Sequence, residues 1–141
     1  MKVGITCSCF DLLHAGHILM LQECKEVCDF LYVAFQTDPT SDRPEKNKPV
    51  QSVLERFIQL KGCKFVDEII PYENEKDLEN IFKSFNFDVR IIGEDYKDKN
   101  FTGKQICLER GIEIYYNKRS HDFSTTNLRK KIENGKKNCE F

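Results

Sequence analysis

Residues 10–17, Phe10-Asp11-Leu12-Leu13-His14-Ala15-Gly16-His17, follow an apolar run and open an amphipathic one. Two histidines separated by two small residues at a strand-to-helix junction direct both imidazoles out of one helical turn. The strand behind them sets what they face. In an open parallel sheet the ligand crevice lies beyond the carboxyl ends of the strands, where a helix N-terminus supplies free N–H groups and positive dipole. A phosphate is the expected occupant.

Outward from this octapeptide, short apolar runs alternate with amphipathic stretches, without internal repeats. Strands are expected at Val3–Cys7, Phe30–Phe35, Val66–Ile70, Val89–Gly93 and Ile112–Tyr116. The second, apolar at every position, fits a strand covered on both faces. Helices are expected over His17–Cys28, from a Ser52 cap to Gly62, over Lys76–Phe85, over Thr102–Arg110 closed by Gly111, and from about Ser124 to Glu133. The segment Asp38–Pro49, polar and proline-rich, reads as an exposed, mobile loop. The alternation gives an α/β fold, a Rossmann-like doubly wound five-stranded parallel sheet. A length of 141 residues supports one domain, 1–141, with about 134–141 as a C-terminal tail.

Lys and Arg number 22 against 23 Asp and Glu, a net charge of −1 that carries no nucleic-acid or membrane signature. The charge is uneven: Asn117–Lys137 holds seven bases and two acids, a basic segment suited to an anionic ligand and equally to a solvated face. No apolar stretch approaches the ~20 residues of a membrane span, and Met1-Lys2-Val3-Gly4 opens no signal-peptide core, so a cytoplasmic protein is expected. Seven cysteines argue against a disulfide framework, being odd in number and placed at apolar-face positions. Zinc held by Cys7, Cys9, His14 and His17 is the competing reading, though paired CxxC spacing is lacking, and no protein-held metal is expected.

Four clusters fall on the carboxyl rim of the expected sheet: Cys9–His17, Thr37–Lys48, Gly93–Tyr96 and Arg119–Thr126. Ser124-Thr125-Thr126 opens the last helix; its hydroxyls and unpaired N–H groups suit a second anion, or serve simply as an N-cap. Arg119 adds a guanidinium fork that can grip a phosphate bidentately, and Lys46, Lys48 and Arg56 extend the cationic lining.

Residues 10–17 resemble the HxGH signature of the cytidylyltransferase-like nucleotidyltransferases. Arg119-Ser120-His121-Asp122-Phe123-Ser124-Thr125-Thr126 resembles that family's second signature, usually Arg-Thr-x-Gly-Ile-Ser-Thr-Thr. With Thr37-Asp38, Arg56, Val66-Asp67-Glu68 and Gly93-Glu94-Asp95 also matching, the similarity covers nearly the whole chain. It is closest to the small bacterial glycerol-3-phosphate cytidylyltransferases. The resemblance implies the nucleotidyltransferase fold, with His14, His17 and Arg119 catalytic. It implies a nucleotide held by Cys9, Phe10, Gly16, Lys48, Gly93, Asp95, Ser120, Ser124, Thr125 and Thr126, in addition to those three. It assigns the acceptor to Asp11, Thr37, Asp38, Lys46, Arg56 and Lys64. Mg²⁺ or another divalent cation would ride mainly on the nucleotide phosphates, and the protein would be a homodimer.

The expected reaction is direct in-line attack of a phosphomonoester oxygen on the α-phosphorus of CTP, expelling pyrophosphate. sn-Glycerol 3-phosphate is the first-choice acceptor, with CDP-glycerol as product. Phosphoethanolamine, phosphocholine or a sugar phosphate are alternatives, as are ATP for CTP and a non-catalytic nucleotide-binding domain. Two departures stand out: Ser8-Cys9 where the family has Gly-Thr, and Asp122-Phe123 where it has Gly-Ile. A carboxylate at 122 turned toward a triphosphate would repel it.

Overall fold

The computed structural model describes residues 1–138. Its strands are β1 (Val3–Ser8), β2 (Phe30–Gln36), β3 (Glu68–Tyr72), β4 (Val89–Gly93) and β5 (Glu113–Asn117). They form one parallel sheet in the order β3-β2-β1-β4-β5. The helices are α1 (Ala15–Val27), α2 (Val53–Lys61), α3 (Glu75–Ser84), α4 (Lys104–Glu109) and α5 (Thr125–Asn138). Because β1 pairs with both β2 and β4, the chain reverses its direction of travel across the sheet at that point. The crevice above their carboxyl ends is the switch point where α/β sheets bind ligands.

Both sheet faces are covered, as the unbroken apolarity of β2 requires. Leu31, Val33 and Phe35 pack with Leu21 and Cys24 of α1 and Leu60 of α2. Ala34 joins Ile5, Leu78, Ile81 and Phe82 of α3, and Cys107 of α4 on the opposite face. Cys24, Cys28 and Cys107 are thus core residues, and among the described residues the cysteines are free thiols.

Several boundaries shift by one or more residues, and three of the shifts have a clear cause. Helix α1 begins two residues before His17, at Ala15, because His14 itself supplies the N-cap, a task more often given to Ser or Asp. Strand β3 lies two residues later than Val66–Ile70. The Asp67 carboxylate accepts from Leu31 N (2.8 Å) and Lys25 Nζ (2.7 Å), stapling the approach to the sheet and leaving the ladder to start at Glu68. Pro71 is tolerated within β3 because an edge strand bonds a single neighbour. Helix α5 runs on past Glu133 to Asn138, so the supposed tail is helical that far; its last three residues, 139–141, lie outside the described ones. By contrast, α2 has the Ser52 cap reciprocated by Glu55 and stops at Gly62, and Gly111, at φ +69°, turns the chain out of α4.

Asp38–Pro49 is less free than its composition implies. Asp38 caps a short 3₁₀ turn at Pro39–Ser41, and Arg43 binds Gln36 Oε1 (3.0 Å) and Glu75 Oε1 (3.2 Å). The base of this loop is held by Arg56, 1% exposed. Its guanidinium donates to the carbonyls of Cys9 (3.1 Å), Gln36 (2.6 Å), Thr37 and Ser52 (3.4 Å), gathering the ends of β1 and β2 and the start of α2 around one cation. Replacing it with an apolar side chain orphans those carbonyls. Arg56→Met is expected to lower the unfolding free energy by about 3 kcal/mol in urea titration, and a loss below ~1 kcal/mol would show that the cluster rehydrates without cost.

Candidate active site

Two cavities open side by side above the carboxyl ends of β1 and β4. The larger, about 770 Å³, is walled by the start of α1 (His14, Gly16, His17), by Gly93, Glu94 and Asp95 after β4, and by Arg119, Ser120, His121, Ser124 and Thr125 between β5 and α5. The smaller, about 560 Å³, takes in Cys9, Phe10, Asp11, Lys46 and Thr126, and a floor of Gln36, Arg43, Tyr72, Arg90 and Arg129. Cys7, Ser8, His17, Ile92, Tyr96 and Thr125 border both, so the two cavities meet along a common wall that includes His17.

At the start of α1 the imidazoles and the main chain cap each other. His14 Nδ1 accepts from Gly16 N (3.0 Å) and His17 Nδ1 accepts from His14 N (3.2 Å). A ring nitrogen that accepts carries no proton, so each neutral ring holds its hydrogen on Nε2, which has no hydrogen-bond partner among the described residues. The rings lie 3.9 Å apart between centroids. Burial, then the neighbouring His14, lowers the His17 pKa to about 4 against an opposing pull from Asp11. Burial, Arg119 and His121 lower that of His14. Near neutrality the site therefore presents two uncharged N–H donors. Part of the expectation is revised here: the Gly16 amide is spent on His14, so an anion above this helix meets imidazole edges as well as remaining main-chain amides. Gly16 has no substitute, since a Cβ there would stand 2.9 Å from both His14 Cε1 and His121 Cε1.

The loop leading into α1 is itself constrained. Phe10 and Leu12 both have φ above +50°, a left-handed conformation that bulky residues avoid. Phe10 is anchored by burial, at 1% exposure, and Leu12 N donates to Gln51 Oε1 (2.8 Å). Between them the Asp11 carboxylate accepts from Val50 N (2.9 Å), Gln51 N (2.9 Å) and Arg129 (2.9 Å), while its carbonyl accepts from Thr125 Oγ1 (3.4 Å). Asp11 thereby ties the His14 loop to α2 and α5.

Not every residue singled out from sequence reaches a cavity. Lys48, Thr37, Asp38, Arg56 and Lys64 line neither: Arg56 is sealed among carbonyls, Asp38 is committed to Thr40, and Lys64 lies over the Phe65 ring at 5.1 Å. Asp122 also stays off the cavity wall, exposed, with its carbonyl taken by Asn127. Sequence reasoning passed over Arg90, Arg43, Tyr72, Arg129 and, as a site residue, His121. Arg90 is 4% exposed on β4, stacked between Phe82 (4.5 Å) and Phe101 (4.8 Å) and donating to the Thr102 carbonyl. A lone cation within an apolar strand was its signal. Burial raises the pKa of the Tyr72 phenol, keeping it a donor, and burial holds the Cys7 thiol at about 11, so no thiolate nucleophile is on offer there. Among the described residues no three His, Cys, Asp or Glu side chains are grouped to hold a metal ion, which leaves the zinc reading without a ligand set. No helix among them is long and apolar enough to cross a membrane.

The sheet order and the switch-point crevice place the molecule among α/β proteins of the nucleotidyltransferase fold. Residues 5–131 match the family described as cytidylyltransferase-like, and the chain belongs to that family. It is 35% identical over 132 residues to glycerol-3-phosphate cytidylyltransferase of Bacillus subtilis, covering 94% of this chain and 98% of that protein. It is 34% identical over 129 residues to bifunctional protein HldE of Caulobacter vibrioides, covering 91% of this chain but 26% of that one, so it spans about a quarter of the HldE proteins it matches. Among solved structures, the lipopolysaccharide core biosynthesis protein of Thermoplasma volcanium superposes with a TM-score of 0.67 at 25% identity, over 87% of this chain and 99% of that one. Pantothenate synthetase of Thermus thermophilus shares the fold at TM-score 0.67 and 16% identity, over 97% of this chain and 64% of that one.

The lowered histidine pKa has a consequence for stability. Below pH 6.5 an unfolded His17 takes up a proton that the native ring refuses until about pH 4, so stability is full above 6.5 and is lost as the pH falls across that window. The loss is expected to total about 2 to 3 kcal/mol. His17→Asn, which keeps an acceptor for His14 N, should flatten the profile in urea titrations between pH 7 and 4; an unchanged slope would place the titration elsewhere.

Proposed function

We propose that this protein is a nucleotidyltransferase that moves CMP from CTP to a small phosphomonoester, most simply sn-glycerol 3-phosphate, giving CDP-glycerol and pyrophosphate. The observation that carries the reading is the meeting of the two cavities at His17. One is edged by imidazole N–H groups, Arg119 and the hydroxyl-rich start of α5; the other is floored by cations.

The nucleotide occupies the larger cavity with its α-phosphate beside His14 and His17. Its outer phosphates lie toward Arg119, Ser120, Ser124 and Thr125, and its nucleoside toward Gly93 and Asp95. The acceptor occupies the smaller cavity, where the four cations Lys46, Arg43, Arg90 and Arg129 outnumber the carboxylates of Asp11 and Glu75 and so favour an anion. From there a phosphate oxygen reaches the α-phosphorus from the side opposite the leaving group, as in-line displacement requires. A new bond forms between phosphorus and the acceptor oxygen. The bond to the β-phosphate oxygen breaks, and its electron pair leaves with pyrophosphate. No enzyme-bound intermediate is needed, since the acceptor is already a competent nucleophile. His14 and His17 donate hydrogen bonds to α-phosphate oxygens as charge builds, acting uncharged and preorganised by the main chain. The divalent ion arrives with the nucleotide and neutralises phosphate charge; it is part of the substrate.

A sugar phosphate is the second reading for the acceptor, favoured by the similarity to HldE and by the roughly 560 Å³ of the smaller cavity. The phosphocholine and phosphoethanolamine alternatives need a partner for a cation, and the cationic floor disfavours them. A matrix of CTP, ATP, UTP and GTP with Mg²⁺ against phosphorylated acceptors, scored by pyrophosphate release, is expected to single out CTP and one acceptor. Nucleotide binding without release across the whole matrix would overturn catalysis in favour of a binding domain. In the active pair, His17→Ala is expected to reduce kcat roughly 10²- to 10³-fold, about 3 to 4 kcal/mol, and wild-type turnover would refute its assignment.

A further inference from the structure

The chain contains three histidines, and all three line the larger cavity. The third, His121, belongs to the turn between β5 and α5 and is not one of the HxGH pair. It nevertheless follows the same local rule as the other two. Its Nδ1 accepts from a main-chain amide, Phe123 N, at 3.1 Å, and its ring is stacked on Phe123 at 5.2 Å between centroids. Its Cε1 edge lies against the bare face of Gly16, where a Cβ would stand 2.9 Å from it and 2.9 Å from the Cε1 of His14. With one nitrogen turned to the main chain and the carbon beside it on Gly16, the ring proton sits on Nε2. That atom has no hydrogen-bond partner among the described residues. The neighbours in sequence reinforce the placement. Arg119 is tied to the Phe123 carbonyl and Ser124 caps α5 through Asn127 N, so the turn is braced on both sides of His121.

We propose that His121 is a third phosphate-contacting imidazole, whose Nε2–H donates a hydrogen bond to the departing pyrophosphate. The proposal rests on the nucleotidyl transfer described above and extends it to a residue that neither signature specifies. His14 and His17 stand at the α-phosphorus. His121, between Arg119 and Ser124, stands where the outer phosphates lie in that arrangement. As the bond from the α-phosphorus to the bridging oxygen breaks, the electron pair moves onto the β-phosphate. A donor fixed there stabilises that charge without transferring a proton. The bare face of Gly16 admits the edges of both His14 and His121, and with His17 the three rings line one cavity.

The geometry separates a chemical from a structural role through the two nitrogens. In His121→Asn the amide oxygen can replace Nδ1 as acceptor for Phe123 N, but nothing donates from the Nε2 position. In His121→Gln an amide N–H can reach the Nε2 position while the Phe123 acceptor is lost. We expect His121→Asn to melt with the wild type and to lose kcat about ten- to hundredfold with the acceptor KM unchanged, and His121→Gln to recover most of that rate. The reverse order, with Asn active and Gln impaired, would make His121 a purely structural brace and overturn the proposal, as would wild-type kcat in both. A second readout does not depend on turnover. Titrating the wild-type protein with inorganic pyrophosphate and Mg²⁺ should shift the His121 Nε2 resonance in ¹⁵N NMR, and an unmoved resonance at saturation would overturn the contact. If no nucleotide and acceptor pair released pyrophosphate, the functional reading would fail, while this titration would still decide whether His121 meets the anion.

Discussion

Main-chain carbonyls at the ends of β1 and β2 converge on one buried cation, and the Arg56 guanidinium takes up several of them at once. The rest of the ligand-facing rim depends on that arrangement. A parallel sheet releases its strands at one edge with unpaired polar groups, and in this molecule a buried cation with a rigid donor fork satisfies those of the two central strands. Its cost in desolvation is offset only because the carbonyls of Cys9, Gln36, Thr37 and Ser52 all accept at hydrogen-bonding distance. The loop from Cys9 to Leu13 can then adopt two left-handed residues in succession around Asp11, a conformation that would relax if its ends were free.

Held this way, the histidine pair is less a pair of titrating groups than a fixed instrument. The main chain occupies one nitrogen of each ring, burial and neighbouring cationic or imidazole groups keep the rings uncharged, and the remaining N–H of each is the group left to offer. A neutral donor suits a phosphate that gains charge during the reaction, because it stabilises the developing charge without holding the ground state as an ion pair would. The cations lie farther out, with Arg119 on one side and Lys46, Arg43, Arg90 and Arg129 on the other. Under the proposed transfer, this division would leave recruitment to the charges and the work at the phosphorus to the dipoles.

Much of this was legible in the chain. The apolar run Phe30–Phe35 demanded two covered faces and received them, and Ser52, Gly62 and Gly111 bounded their helices as turn and cap chemistry requires. The two signature segments, roughly a hundred residues apart, do meet across one cavity. What escaped was whatever depends on where a side chain turns after the backbone is in place. Arg56 looked like a ligand contact and is a structural clamp, because burial decides between those roles and sequence does not report burial at a single site. His14 was read only as a ligand-facing ring, since imidazole is an uncommon helix cap. Arg43 and Tyr72 gave no pattern at all: they are joined only by the register of β2 with β3 and by the ion pair to α3. Arg90 could have been found, as a charge with nowhere to go in an apolar strand.

The carboxylate of Asp11 is one group with three dependants, drawn from two distant parts of the chain. A displacement of α5 that stretched its bond to Arg129 would loosen the segment at Val50 and Gln51 as well, and the lysine-bearing loop ends there. The walls of the two cavities are therefore geared together. Whatever steadies the start of α5 also steadies the segment at Val50 and Gln51 across from it.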